Sequence, residues 1–286
     1  VASTVLPGSG LSSSASIEVL IGAIVNALYN EGKVGTTELA KIGQFAENNH
    51  FGKPSGLMDQ VACATGGAVT IDFADREHPV IDRIDVSFED AGLALVVVDT
   101  GANHADLTDE YAAIPADMRS IAKALGGEVL RDIPAATFHT AVPMLRRELG
   151  DRAVARGLHY YDENRRVEAM VEGLRTRRLD EYLALMADSG RSSGIYLQNC
   201  VPVKHPDEQG VVIALALTEH FFLERGLQSG RDAACRVHGG GFAGTIQVLL
   251  PSQHVDAYNE YVSGFLGERA LTRLGIRPVG AVAFPA

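Results

Sequence analysis

The chain has 286 residues, 46 % of them apolar and 21 % charged, which suits one large or two ordinary soluble domains with their own cores. Its net charge of −11, with no long block of like charges, argues against nucleic acid or an anionic membrane as partner. No apolar stretch has the length of a bilayer span or the form of a signal peptide.

In chain order, Thr4–Leu6 reads as the end of a strand. Residues 15–29 carry Ile17, Leu20, Ile21, Ile24 and Leu28 at helical spacing, with Val19, Ala23 and Val25 on the other faces, which predicts a helix buried nearly all round. A second helix starts near Thr36–Thr37, with Glu38 in its first turn, and runs through Leu39, Ile42 and Ala46. The loop "FGKPSG" leads to a short helix from Leu57 to about Ala64. "GGAVTIDF" and the continuous apolar run "LALVVVDTG" read as strands. Helices follow over 108–125, 151–174, 180–189 and 207–223. The tail gives a strand near 235–238, a glycine turn, the strand "TIQVLLP", a helix near 255–266 and a last strand near 279–284. Mixed elements without strict βαβ alternation predict an α+β chain in two lobes, residues 1–90 and 91–286.

Cys63, Cys200 and Cys235 stand apart without CxxC spacing and read as free thiols of a reducing, cytoplasmic compartment. The histidines form no HxxxH or HExxH pair, so zinc has no support.

Three stretches carry chemistry. In "LPGSGLSSSASIEVL", residues 6–20, Gly8 and Gly10 precede Ser12, Ser13, Ser14 and Ser16 at a helix entrance where one capping hydroxyl would do. Glycines let a ligand approach the backbone, and amides at a helix N-terminus suit phosphate. The spacing is neither a Walker A loop nor a good dinucleotide fingerprint, because no GK follows and Ser13 replaces the third glycine. An over-capped buried helix is the structural alternative. In "AENNHFGKPSGLMDQVACATGG", residues 46–67, Glu47 alone reads as a solvated carboxylate, although Ala40 and Gly43 on its face leave room for a neighbour. Asp59 opens a short helix, either as its cap or as a carboxylate held for base chemistry. In "RVHGGGFAGTIQVLLP", residues 236–251, Gly239, Gly240, Gly241 and Gly244 suit a bulged hairpin or a ligand-facing loop.

Together and in this order, the three stretches resemble the GHMP kinase superfamily, and the wording "GLSSSASIEV", "AEN", "GLMDQ", "DEYAA" and "HYYDENRRVEAM" is similar to its galactokinases. The resemblance implies a two-lobed fold with the active site in the cleft between lobes. It implies an ATP- and Mg²⁺-dependent kinase acting on the anomeric hydroxyl of galactose. Pro7, Gly8, Ser9, Gly10, Leu11, Ser12, Ser13, Ser14 and Ala15 would then bind ATP, and Ser14 with Glu47 would hold Mg²⁺. Asp59 would be the catalytic carboxylate, Gly56 and Tyr111 would contact the sugar with it, and Gly239, Gly240 and Gly241 would line the cleft. The family's N-terminal signature is absent. "AAIPADM" stands where an arginine pair often follows the tyrosine, and "SGRSSGIYLQNCVPVKHPDE" matches loosely. A kinase for N-acetylgalactosamine or arabinose therefore stays open, as does a non-catalytic sugar and ATP sensor, although intact Ser12–Ala15 and Asp59 favour the enzyme. A monomer or weak dimer is expected. The start at Val1, so close to the loop, predicts further residues upstream, about a hundred on the scale of a domain.

Overall fold

The computed structural model describes Val5 and residues 12–52, 55–75, 77–101, 107–242 and 244–283. Two compact units emerge. The first comprises Val1–Ser87 together with Gly275–Ala286, and the second is Phe88–Leu274. A contiguous second domain from residue 91 was expected; here the last segment rejoins the first unit.

In the first unit, α1 (Ser13–Tyr29), α2 (Thr36–His50) and α3 (Met58–Thr65) accompany a two-stranded antiparallel sheet, β1 (Ala68–Asp72) with β2 (Val80–Ile84). Val19, Ala40, Leu57, Val61 and Ala64 form its core. The expected last strand is not formed over 279–283, and Phe284 lies outside the described residues. Instead Arg277 offers its carbonyl to the Gly67 N–H at 2.7 Å, and the Pro278 carbonyl accepts from Arg83. Gly280 lies so close to the end of α3 that a Cβ would come 1.9 Å from the Ala64 carbonyl oxygen. A backbone pressed against a helix end in this way has no open edge on which to extend as a strand.

The helix α1 departs from its expected burial. Ala15 and Val19 are buried, but Ile17, Leu20, Ile21, Ile24, Val25 and Leu28 are exposed, Leu28 by 70 %. Among the described residues the covered face of α1 is the one turned to α2 and α3, and the exposed residues are those expected to need further residues upstream to cover them.

In the second unit, β3 (Leu93–Asp99) is the apolar run, and it lies inside an antiparallel sheet of order β4–β5–β3–β6. Its partners are β5 (Thr245–Pro251), in register Val96 to Val248, and β6 (Leu271–Leu274), with β4 (Ala234–Val237) beyond β5. Ala94, Val96 and Val98 share one face with Ile246, Val248 and Leu250. There they meet Phe221 and Phe222 of α8 (Gly210–Glu224) and Tyr258 and Val262 of α9 (Val255–Leu266).

A helical layer holds α4 (Thr108–Ala124), α5 (Ala135–Leu149), α6 (Asp151–Arg175) and α7 (Leu179–Ser192). The helix α5 was not expected from periodicity, because Pro134 caps it and Pro143 sits inside it. Phe138 and Leu145, seven residues apart on one face, are fully buried. The three cysteines are free; Cys200 and Cys235 are buried, and burial pushes the Cys200 thiol up to about 11. Among the described residues no helix is long and apolar enough to cross a membrane.

Candidate active site

Of the serine-rich loop, Ser12 to Ala15 are described; Pro7 to Leu11 lie outside the described residues. Ser12 stands at the N-cap of α1 with φ 57°, a left-handed conformation that costs a non-glycine residue about 1–2 kcal/mol. Its hydroxyl makes no capping bond. It donates instead to Asp59 Oδ2 at 2.6 Å. Asp59 itself is not the cap of α3, a position held by Leu57, but lies in the first turn. The capping roles open to both residues are therefore set aside: each gives its polar group to the other.

Two residues further, Ser14 donates to Glu47 Oε1 at 2.8 Å. Glu47 is only 3 % exposed, which overturns its reading as a solvated carboxylate. Ala40 and Gly43 share its buried face of α2 with Leu39, whereas Ile42 of the expected apolar stripe is exposed, as is Phe45. Gly43 is where the three helices meet: a Cβ there would stand 3.2 Å from Glu18 Cβ and 3.3 Å from Gln60 Cγ. That close approach brings Gln60 Nε2 within 3.0 Å of Glu47 Oε2 and 3.1 Å of Glu18 Oε2. Glu18 was missed in the sequence, although it sits one helical turn beyond Ser14.

Two carboxylates thus share one amide, beside a serine hydroxyl at the positive end of a helix. Among the described residues no group of three or more histidine, cysteine, aspartate or glutamate side chains could hold a metal ion, so any cation here would rest on Ser14 and Glu47 with the help of a ligand's own oxygens. Ser14 Oγ and Glu47 Oε1 are 2.8 Å apart, and adjacent oxygens around an octahedral Mg²⁺ stand about 2.9 Å apart. Gln60 Oε1, turned away from the two carboxylates that its Nε2 serves, is buried without a hydrogen-bond partner among the described residues. Gly56 is exposed just ahead of α3.

The glycine run belongs to the second unit. It connects β4 to β5 as a hairpin, in register Val237 to Ile246, and His238 closes it by donating its N–H to the Thr245 carbonyl. Two side chains grip the turn. Tyr111 of α4 donates its hydroxyl to the Gly241 carbonyl at 3.0 Å, and its ring meets Phe242 edge to face. Burial raises the Tyr111 pKa, which keeps the phenol protonated as a donor. From the other side Asn199 donates Nδ2 to the Gly240 carbonyl at 3.1 Å. Sequence reading passed over Asn199, which lies in the loosely matching stretch. The structure therefore brings together Ser12, Ser14, Glu47 and Asp59 in one unit, and Tyr111 with Gly240 and Gly241 in the other.

Residues 1–67 match the family model of the GHMP kinases N terminal domain. The galactokinase of Streptomyces coelicolor is 35 % identical over 267 residues, covering 91 % of this chain and 62 % of that protein. The Streptomyces lividans galactokinase is 34 % identical, covering 95 % and 64 %. The chain thus spans about three fifths of the length of the curated relatives it matches. Among solved structures, Lactococcus lactis galactokinase complexed with galactose superposes with a TM-score of 0.75 at 21 % identity, over 97 % of this chain and 68 % of that one. The L. major mevalonate kinase in complex with R-mevalonate gives 0.60 at 17 % identity, over 97 % and 69 %. These likenesses show the fold.

Proposed function

We propose that this relative of the galactokinases, built on the GHMP kinase fold, belongs to an ATP-dependent sugar kinase that converts galactose to galactose 1-phosphate. The observation that carries the proposal is the Ser12–Asp59 contact at 2.6 Å, which joins the serine loop to a carboxylate that no helix cap requires. In the reaction the anomeric C1 oxygen attacks the γ-phosphorus of ATP, its proton passes to Asp59, and the bond from that phosphorus to the ADP oxygen breaks.

Phosphate binding falls to Pro7, Gly8, Ser9, Gly10, Leu11, Ser12, Ser13, Ser14 and Ala15, where backbone amides lead into the N-terminus of α1. Ser14 and Glu47 would hold Mg²⁺, which when bound neutralises charge on the β- and γ-phosphates. Gly56 and Tyr111 contact sugar hydroxyls, and Gly239, Gly240 and Gly241 line the site. Residues 1–90 would supply the phosphate-loop lobe and 91–286 the C-terminal lobe, with 275–283 returned to the former. The protein would act in the cytoplasm on small molecules, as a monomer or weak dimer, without a nucleic-acid or membrane partner.

A panel of sugars offered to the full-length protein with ATP and Mg²⁺, read by ADP release, tests this reading. Galactose should be the preferred acceptor. Preference for N-acetylgalactosamine or arabinose would change the substrate alone, and a protein that releases ADP with none of the sugars would be a sensor.

A further inference from the structure

The stretch 189–208, which follows no strong family wording, delivers one residue to the glycine turn from an irregular piece of backbone. The helix α7 ends at Ser192 and passes into a π-helical turn, Ser193–Leu197. Gln198 then adopts φ 60°, and the Gln198 and Asn199 N–H groups both donate to the Ser193 carbonyl. The fully buried Arg156 of α6 holds the same turn by donating Nε to the Leu197 carbonyl at 3.1 Å. π-Turns of this kind recur at functional sites, where an extra residue re-aims the chain.

What the bend aims is Asn199, 2 % exposed. Its carbonyl accepts the Phe242 N–H, and its Nδ2 reaches the Gly240 carbonyl. Gly241, at φ +80°, lies so close that a Cβ would come 2.1 Å from the Asn199 carbonyl oxygen. Tyr111 faces the same turn, its ring 2.6 Å from where a Gly240 Cβ would be. The amide orientation is fixed, because the opposite one would set oxygen against the Gly240 carbonyl. In this orientation Asn199 Oδ1 is buried without a partner among the described residues. An apolar side chain would avoid that cost, so stability alone does not account for an asparagine here.

We propose that Asn199 is a positioning residue: it fixes the shape of the glycine turn that serves phosphoryl transfer. This rests on the kinase reading above. Its chemistry is that of a clamp, one side-chain and one main-chain hydrogen bond closing a turn in which a side chain at 240 or 241 would collide with Tyr111 or Asn199.

The test compares Asn199→Ala and Asn199→Asp in the full-length protein with three readouts. Gly240 is exposed, so its carbonyl can turn to water, and Asn199→Ala should keep its Tm within about 2 °C while amide exchange at residues 239–242 rises about tenfold. Turnover on the preferred sugar should fall about tenfold, in kcat more than in KM. Asn199→Asp should be worse than Asn199→Ala, since it sets a carboxylate oxygen against a carbonyl; a role in filling space would leave it like the wild type. Unchanged exchange in Asn199→Ala overturns the clamp. Raised exchange with undiminished kcat, or a rate loss that merely follows a large fall in Tm, overturns the positioning role. A wild-type protein that phosphorylates no sugar defeats the kinase reading and the positioning role with it, while the exchange result still decides the clamp.

Discussion

Replacing Asp59 with asparagine separates a structural carboxylate from a reacting one, because the two readings give effects of different size. The Ser12 hydroxyl donates to Asp59 at 2.6 Å, the length of a charge-assisted bond worth about 1.5–3 kcal/mol. Asparagine keeps an acceptor oxygen at nearly the same place, so the loss is the difference between a charged and a neutral acceptor, about 1 kcal/mol. The carboxylate also lies in the first turn of α3, where a negative charge contributes about 0.3–1 kcal/mol. Together these lower Tm by about 2–6 °C in a chain of this size. If Asp59 takes the sugar's proton, the same substitution removes the acceptor from the reaction and lowers kcat by about 10²–10⁴. Melting temperature and initial rate of ADP release, measured on one preparation, give both numbers. An Asp59→Asn protein that turns over within about threefold of wild type, with its Tm lowered as calculated, would refute the assignment.

Other consequences can be measured alongside. Ser14→Ala should raise the Mg²⁺ concentration for half-maximal turnover about tenfold, as loss of one hard oxygen implies, and an unchanged Mg²⁺ dependence counts against the Ser14–Glu47 site. Burial, more than any neighbouring charge, holds His159 below its ordinary pKa, with Arg166 and Arg236 pushing the same way and Glu163 opposing. On acidification the unfolded chain takes that proton first, so the contribution is present above about pH 6.5 and is lost as pH falls toward the folded value. Denaturant midpoints should therefore fall between pH 6.5 and 5 less steeply in His159→Gln than in wild type, and equal slopes would exclude the effect. The chain of residues 1–286, prepared by itself, should bind a hydrophobic dye through Ile17, Ile21, Ile24 and Leu28, and Ile21→Lys with Leu28→Lys should reduce that binding about twofold or more. Equal dye binding in both proteins would place the signal elsewhere.

Much of the fold was legible where a local pattern decides it. The run Leu93–Asp99 is short, rich in valine and flanked by Gly92 and Gly101, which marks an inner strand, and it is paired on both sides. The helices α4, α6, α7 and α8 follow their apolar spacing. What failed depends on distant partners. The apolar α1 gives the same pattern whether a neighbour covers all its faces or one, and Glu47 looks like any surface carboxylate until Gly43 lets Glu18 and Gln60 approach. No local pattern singles out Arg156, which is fully buried against Asp117 at 2.7 Å and the Leu197 carbonyl. In the candidate site, the serine loop and Asp59 stood out by residue type. Their mutual contact could not be read, because it spans 47 positions and depends on the left-handed turn at Ser12.

The return of residues 275–283 to the first unit imposes an order on the birth of the protein. The helices α1 to α3 leave the ribosome before Phe88–Leu274, but the strip that seals the end of α3 emerges only after all of Phe88–Leu274 has been made. At about 5–20 residues per second that interval is roughly 10–40 s. The nascent first unit spends it with the Gly66–Gly67 end of α3 unsealed. A pause in translation before Gly275 would lengthen the wait, and one past Ala286 would leave the strip time to settle against α3.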